Sequence, residues 1–140
     1  MLSKEKNNIV FIRLNTDEDF FKSLTIICKK HNIINAVILS GVGQLKNFYL
    51  GYYKKKFGYL TQKFINPHEL LNLSGNIIQD RNIFEFHIHA ILSNEKMKSI
   101  GGHLINGKVE ITNEIILLKT FIQASRNLEK STGLKKILFK

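Results

Sequence analysis

Over most of the chain, hydrophobic and polar residues alternate with a period of two. Successive side chains of a β-strand point to opposite faces, so this period is typical of strands with one buried face. It predicts strands at residues 9–14, 35–39, 46–53, 59–65, 70–78, 84–93, 101–104, 109–118, 121–128 and 134–139. A chain built mainly of short strands needs a sheet as its central element.

One segment has the period of a helix instead. Its apolar residues recur at positions 20, 21, 24, 27 and 28. Thr16 is the predicted N-cap, residues 17–19 place acidic side chains in the first turn, and residues 29–31 close the last turn with basic ones. We therefore predict one amphipathic helix that packs on the sheet.

Glycine and polar residues mark the connections between these elements. We expect turns or hairpin tips at residues 54–56, 80–82, 94–99, 106–107 and 131–133, a bulge at 74–75, and either a tight turn or a close backbone approach at 40–43. One helix and seven or more strands then make an α+β domain on a largely antiparallel or mixed sheet. No linker or repeat divides residues 1–140, and we place the core at about 9–139.

Length and composition fit a single globular domain. The chain has 140 residues, of which 44% are hydrophobic and 23% charged. No apolar stretch has the length of a signal peptide or the ~20 residues of a membrane span. We therefore expect a cytoplasmic protein with no membrane partner.

The chain is strongly basic, with a net charge of +10. Such an excess favours DNA or another polyanion as a partner. The excess comes mainly from lysine, which lacks the planar fork that arginine uses to read bases. A chain rich in Lys, Asn and Ile also fits the bias of an AT-rich genome. Charge alone therefore supports only a non-specific, salt-sensitive attraction.

Lysines are interleaved with aromatic residues between Tyr52 and Tyr59. Lys54, Lys55 and Lys56 could contact phosphates while neighbours such as Tyr53 stack on bases. The simpler interpretation is a solvated hairpin beside alternating sheet residues. We favour it because runs of charge usually mark solvated loops.

Two histidines one residue apart on a predicted strand give the sharpest chemical hypothesis. His87 and His89 share one face of the strand with Glu85, whereas Ile88 and its apolar neighbours face the other layer. His103, after two glycines, could complete a three-histidine metal site with one coordination position open. The alternative is that these histidines are solvent-facing or satisfied by hydrogen bonds.

Two further candidates accompany the histidines. Glu85 could orient a metal ligand or act as a general base, or it could be a surface carboxylate paired with a lysine. Ser40, Gly41 and Gly43 could offer backbone N–H groups to an anion near the site. No nucleophile motif or nucleotide-binding loop is present in the sequence, so no reaction can be named.

Six motifs occur in an order that resembles the PPC domain, the plants and prokaryotes conserved domain. They are residues 36–43, 51–53, 69–76, 86–93, 101–104 and 132–134. The resemblance runs from about Phe11 to Leu138. It implies a roughly seven-stranded α/β-type fold assembled as a homotrimer, with a metal bound by His87, His89 and His103, for which zinc is the expected ion.

The resemblance also suggests a DNA-binding role, because stand-alone prokaryotic members are commonly described in that way. The Arg-Gly-Arg core of the AT-hook, which reads the minor groove in the plant relatives, is absent from the sequence. We therefore carry two hypotheses. One is a nucleic-acid-associated protein, and the other is a metal-dependent enzyme or small-ligand binder that uses the open metal position.

Overall fold

The computed structural model describes residues 1–139 as nine β-strands and one α-helix. The strands are β1 (Leu2–Lys6), β2 (Ile9–Asn15), β3 (Asn35–Lys54), β4 (Gly58–Phe64), β5 (His68–Asp80), β6 (Ile83–Ser93), β7 (Ser99–Thr120), β8 (Ala124–Glu129) and β9 (Leu134–Phe139), and the helix is α1 (Phe20–Lys30). Seven strands form one antiparallel sheet in the order β1-β2-β7-β6-β5-β3-β4, and β8 and β9 form a separate hairpin. The predicted single domain with a seven-stranded sheet and one helix is confirmed.

The sheet closes on itself through its two longest strands. β3 and β7 pair from Asn35 opposite Thr120 to Gly51 opposite His103. β5 lies beside β3, β6 pairs with β5, and the start of β7 pairs with β6. These four strands therefore form a ring, and closure leaves an interior that side chains must fill.

The core occupies the inside of this ring and the space beneath α1. Ile88 and Ala90 of β6 point inward, as the alternation predicted, and are almost fully buried. The buried face of α1, which includes Phe20 and Leu24, belongs to the same apolar cluster as Leu117 of β7. No helix among residues 1–139 is long and apolar enough to cross a membrane.

The helix begins later than its sequence suggests. The N-cap is Asp19, whose carboxylate accepts a hydrogen bond from the Lys22 amide at 3.0 Å, so the predicted Thr16 cap is wrong. The Asp17 amide donates a hydrogen bond to the Val109 carbonyl oxygen. The Val109 amide in turn donates to the Glu18 carbonyl oxygen. Because β7 holds residues 17 and 18, they cannot form the first helical turn, and that turn carries no acidic side chain.

The turn predicted at residues 106–107 is absent, and so is the turn that is one of the two alternatives for residues 40–43. Residues 40–43 lie inside β3 and residues 106–107 inside β7, because the long pairing of these two strands overrides the local preference for a turn. At residues 40–43 the structure has the close approach instead. A Cβ atom built on Gly43 would lie 2.1 Å from the Thr112 carbonyl oxygen, a space that only glycine fits.

Three smaller differences concern the strand ends and the bulge. The sequence pattern missed β1, which is mostly polar and turns into β2 through Asn7 and Asn8, both at positive φ. The irregular register of β5 lies between Leu70 and Asn72, and not at the predicted 74–75. β8 starts at Ala124 and not at residue 121.

Gly75 allows the backbone of β5 to pack closely against the backbone of β6 at His87. Its φ is +148°, and a Cβ atom there would lie 2.0 Å from the carbonyl oxygen of His87. We expect Gly75→Ala to lower the free energy of unfolding by more than about 3 kcal/mol, because backbone strain and a displaced carbonyl act together. Urea denaturation measures this loss.

Gly58→Ala is the matched control, since Gly58 also has a positive φ but has nothing within 4 Å of the added Cβ. It should cost only the ~1–2 kcal/mol of the left-handed conformation. Equal losses for the two variants would show that the space beside His87 is not limiting.

Candidate metal centre

Three histidines converge on the outer face of the sheet where β6 meets β7. His89 of β6 lies directly opposite His103 of β7 in the antiparallel register. Opposite residues share a face, and so do residues two apart on one strand, so His87 joins the pair. The structure therefore brings together the three residues that the sequence singled out.

The three imidazoles form a nearly equilateral triangle. Their ring centroids are 5.2 Å apart for His87 and His89, 5.4 Å for His87 and His103, and 5.5 Å for His89 and His103. One ring nitrogen from each lies within 4.8 Å of the others. Three imidazole nitrogens this close together could hold one metal ion.

The environment of the cluster favours the uncharged form of two of its imidazoles, those of His87 and His103. Burial, helped by His87, His89 and the Arg126 guanidinium, lowers the pKa of His103 to about 4. Burial also lowers the pKa of His87, with smaller contributions from Arg126 and His89. Neutral imidazole is the form that binds a metal, so both rings are ready ligands at neutral pH.

His103 also has a hydrogen-bonding atom without a partner. Its Nδ1 is buried and makes no hydrogen bond to residues 1–139. The ring of Tyr59 packs against the His103 ring at 5.1 Å between centroids. Buried polar atoms without partners are rare, and a bound ion or ligand is one way to satisfy them. The cluster therefore fits a metal in both its donor set and its unmet bonding capacity.

A pocket of about 740 Å³ opens between the histidines and the C-terminal hairpin, β8–β9. Its walls come from the outer face of β3, β4, β6 and β7 on one side and from the hairpin on the other. The Tyr53 hydroxyl donates to the Thr132 carbonyl oxygen and so ties the hairpin turn to the end of β3. The pocket size is typical of small-molecule sites.

The hairpin contributes one arginine to this pocket, Arg126 of β8. Its side chain is buried, with 8% of its surface exposed. Its Nη2 donates to the side-chain oxygen of Asn76 at 2.5 Å, and its Nη1 to the Lys135 carbonyl oxygen at 3.4 Å. Sequence reasoning missed Arg126 as a site residue, because no local pattern shows that β8 folds back against β5.

Glu85 lies on the same face as the histidines and lines the pocket, as expected. Its carboxylate forms an ion pair with the Lys135 ammonium of β9. That is the simpler of the two interpretations that the sequence allowed, a surface carboxylate paired with a lysine.

The lysine run forms the exposed tip of the β3–β4 hairpin. Lys54, Lys55 and Lys56 are all exposed, and the Lys54 ammonium lies 4.9 Å from the centre of the Phe57 ring. Lys55 and Lys56 line a groove together with Lys130, beside the histidine pocket. The predicted hairpin is confirmed, and it has a basic neighbour that the sequence did not reveal.

The remaining candidate residues lie elsewhere. Ser40, Gly41 and Gly43 pair with the far part of β7, and none of them lines the histidine pocket, so their expected place near the site is wrong. His31 caps α1 beside Glu5, and His68 packs between Phe48 and Phe64. These two histidines have structural surroundings, and neither lines the histidine pocket.

Comparison with known proteins places this geometry in context. The model of the Plants and Prokaryotes Conserved (PCC) domain family matches residues 1–121. A comparison with curated proteins gives no match.

Solved structures share the whole fold. A candidate DNA-binding protein from Bacteroides thetaiotaomicron has a TM-score of 0.91 and 23% identity, with 99% of this chain and 96% of that one covered. A plant- and prokaryote-conserved protein from Pyrococcus horikoshii has a TM-score of 0.82, 27% identity, and coverage of 98% and 96%. A metal-containing protein from Archaeoglobus fulgidus has a TM-score of 0.84, 25% identity, and coverage of 99% of both chains.

Proposed function

The chain belongs to the Plants and Prokaryotes Conserved (PCC) domain family, and on that premise we propose that it is a metal-binding protein with zinc as its ion. His87, His89 and His103 are the proposed ligands. The observation that carries the proposal is the convergence of their ring nitrogens within 4.8 Å on one face of the sheet. The metal-containing Archaeoglobus fulgidus protein of the same fold supports it.

Zinc suits the donor set because three neutral imidazoles are a common zinc environment that leaves a fourth position free. When bound, zinc polarises oxygen ligands and lowers the pKa of coordinated water. The chain supplies the rest of the site: Tyr59 packs on one ligand ring, and the β8–β9 hairpin limits access of solvent. We therefore propose a site that binds a ligand, and name no reaction.

Metal content tests this proposal directly. We expect about one zinc per chain in protein purified without chelators, since three imidazoles form one site. The His87→Ala/His89→Ala variant should lose it while staying folded. Elemental mass spectrometry gives the ratio, and circular dichroism reports the fold.

His31→Gln is the control for loss of a histidine outside the cluster, and it should keep its zinc. Stoichiometric zinc in the double variant would refute the ligand assignment. Wild-type protein that takes up no zinc after incubation with the ion would refute the metal site.

A second proposed function is association with nucleic acid or another polyanion. The specific observation is the groove between two hairpins, where Lys55 and Lys56 meet Lys130. The net charge of +10 would strengthen attraction at longer range. The DNA-binding description of the Bacteroides thetaiotaomicron neighbour agrees with this proposal.

Charge reversal on the β3–β4 hairpin tests the polyanion proposal. We expect Lys54→Glu/Lys55→Glu/Lys56→Glu to weaken binding of duplex DNA at low salt and to reduce the slope of log K against log salt by about 3, since each phosphate contact adds about one. Fluorescence anisotropy at several salt concentrations measures both.

The control is Lys22→Glu/Lys96→Glu/Lys98→Glu, which makes the same change in net charge at exposed lysines that do not line the groove. This control should lose some affinity and keep the slope. If the two triple variants have the same DNA affinity and the same salt slope, net charge alone explains the binding and the groove is not the binding site.

We also propose that the chain assembles as a homotrimer, as its resemblance to the family suggested. The structure offers a suitable surface, an apolar outer face on β2, β3 and β7. It comprises Phe11, Val37, Leu39, Val42, Ile116 and Leu118. The register places these residues side by side, and exposed apolar patches of this kind commonly mark interfaces.

Light scattering coupled to size exclusion should give three times the 16.2 kDa mass of the chain. Phe11→Lys/Val42→Lys should dissociate the assembly, because burying two ammonium groups per chain is costly. Ile83→Lys/Met97→Lys, at exposed positions near the hairpin turns, should leave the mass unchanged. A monomeric wild type would refute the proposal.

A further inference from the structure

We propose that the pocket beside the histidines binds a small organic anion, whose carboxylate or phosphate group contacts Arg126 and whose apolar body rests on the aromatic wall. The inference rests on the proposed metal site for one of its contacts, because an anionic oxygen would also take the open metal position. The Arg126 contact is independent of the metal. Arg126 lies outside residues 1–121, the part of the chain that the family model matches.

The strongest support is the state of the Arg126 side chain. It lines the pocket, and only 8% of its surface is exposed. Its Nε is buried and has no hydrogen-bond partner among residues 1–139. Leaving a charged donor buried without a partner is costly, and a carboxylate or phosphate oxygen is the acceptor that a guanidinium binds most strongly.

The guanidinium is also held in place before a ligand arrives. Asn76 accepts from Nη2, and the Lys135 carbonyl accepts from Nη1. An arginine that two partners already orient loses little side-chain freedom when it binds an anion. Its position is therefore that of a recognition group and not of a mobile surface cation.

The charges around the pocket favour an anion as well. Its charged lining residues are Arg126, Lys135 and Glu85, and Lys135 and Glu85 form an ion pair with each other. The Glu85 carboxylate also attracts the Arg126 guanidinium, so two cations face one anion and the lining keeps a net positive charge, to which the three histidines add no negative group. A bound divalent ion would raise the positive charge further.

The rest of the lining determines the kind of anion. Tyr52, Tyr59, Phe86 and Leu134 give the pocket an aromatic and apolar wall. Such walls bind the apolar part of a ligand, while a few polar groups fix its orientation. A small aromatic or aliphatic acid, or a phosphate monoester, fits this combination better than a bare inorganic ion does.

Binding of benzoate and phenyl phosphate tests the inference, with benzamide as the uncharged probe. Calorimetry on zinc-loaded wild type should show binding of one or both anions and at least tenfold weaker binding of benzamide. Arg126→Gln should weaken anion binding at least tenfold, the loss expected for a charge-assisted hydrogen bond, while zinc content stays the same.

Two further variants keep this test informative. Arg81→Gln, which makes the same charge change in an exposed turn, should bind the anions as wild type does. If Arg126→Gln does not fold, Arg126→Lys retains the charge without Nε and should bind the anions more weakly than wild type. Equal anion affinity in wild type and the folded Arg126 variant, or equal affinity for benzamide and benzoate, would overturn the inference.

The same titrations on zinc-free protein separate this inference from the proposed metal site. Anion binding that needs Arg126 and persists without zinc supports the arginine contact even if the chain binds no metal. Stoichiometric zinc with no anion binding in either form would leave the metal proposal intact and refute the anion pocket.

Discussion

The long antiparallel pairing of β3 with β7 is the constraint on which the rest of the structure depends. It continues from Asn35 opposite Thr120 to Gly51 opposite His103, with irregularities that bend both strands. β7 changes its other neighbour along this length, from β2 at residues 112–118 to β6 at residues 99–103. One long strand can therefore serve two parts of the sheet, and the ring closes at the point where the histidines meet.

The closure also decides which face of β6 packs in the core and which face carries the candidate metal ligands. The alternation of the strand places Ile88 inside the ring and His87 and His89 outside it. An outer face would normally be wet, but β8 and β9 fold back over it and form the roof of a pocket. Burial is the main reason why the pKa of His103 falls to about 4, and the Arg126 guanidinium of the hairpin adds a smaller contribution. The hairpin therefore shapes the chemistry of residues that lie on other strands.

The electrostatic character of the pocket follows from the same arrangement. The pocket holds an ion pair between Glu85 and Lys135 and an arginine whose Nε has no partner among residues 1–139. Together with histidines that carry no negative charge, these groups leave a net positive region. Lysines of the β3–β4 hairpin lie close by and extend that region to the surface. Both the proposed small-anion pocket and the proposed polyanion groove depend on this shared excess of positive charge, although they would bind ligands of very different size.

The sequence by itself determined the elements and the faces of their side chains. Period-two alternation identified the strand with His87 and His89, and the two glycines before His103 marked it as the third histidine, because both signals are local along the chain. Tertiary structure decided everything that depends on which strands meet. Long-range pairing removed the turn expected at residues 106–107 and selected the close backbone approach at residues 40–43. Pairing with β7 delayed the start of the helix to Asp19, and the folded-back hairpin brought Arg126 to the histidines. Those outcomes depend on contacts between residues far apart in sequence, whose free energy outweighs the small local preferences that a pattern can detect.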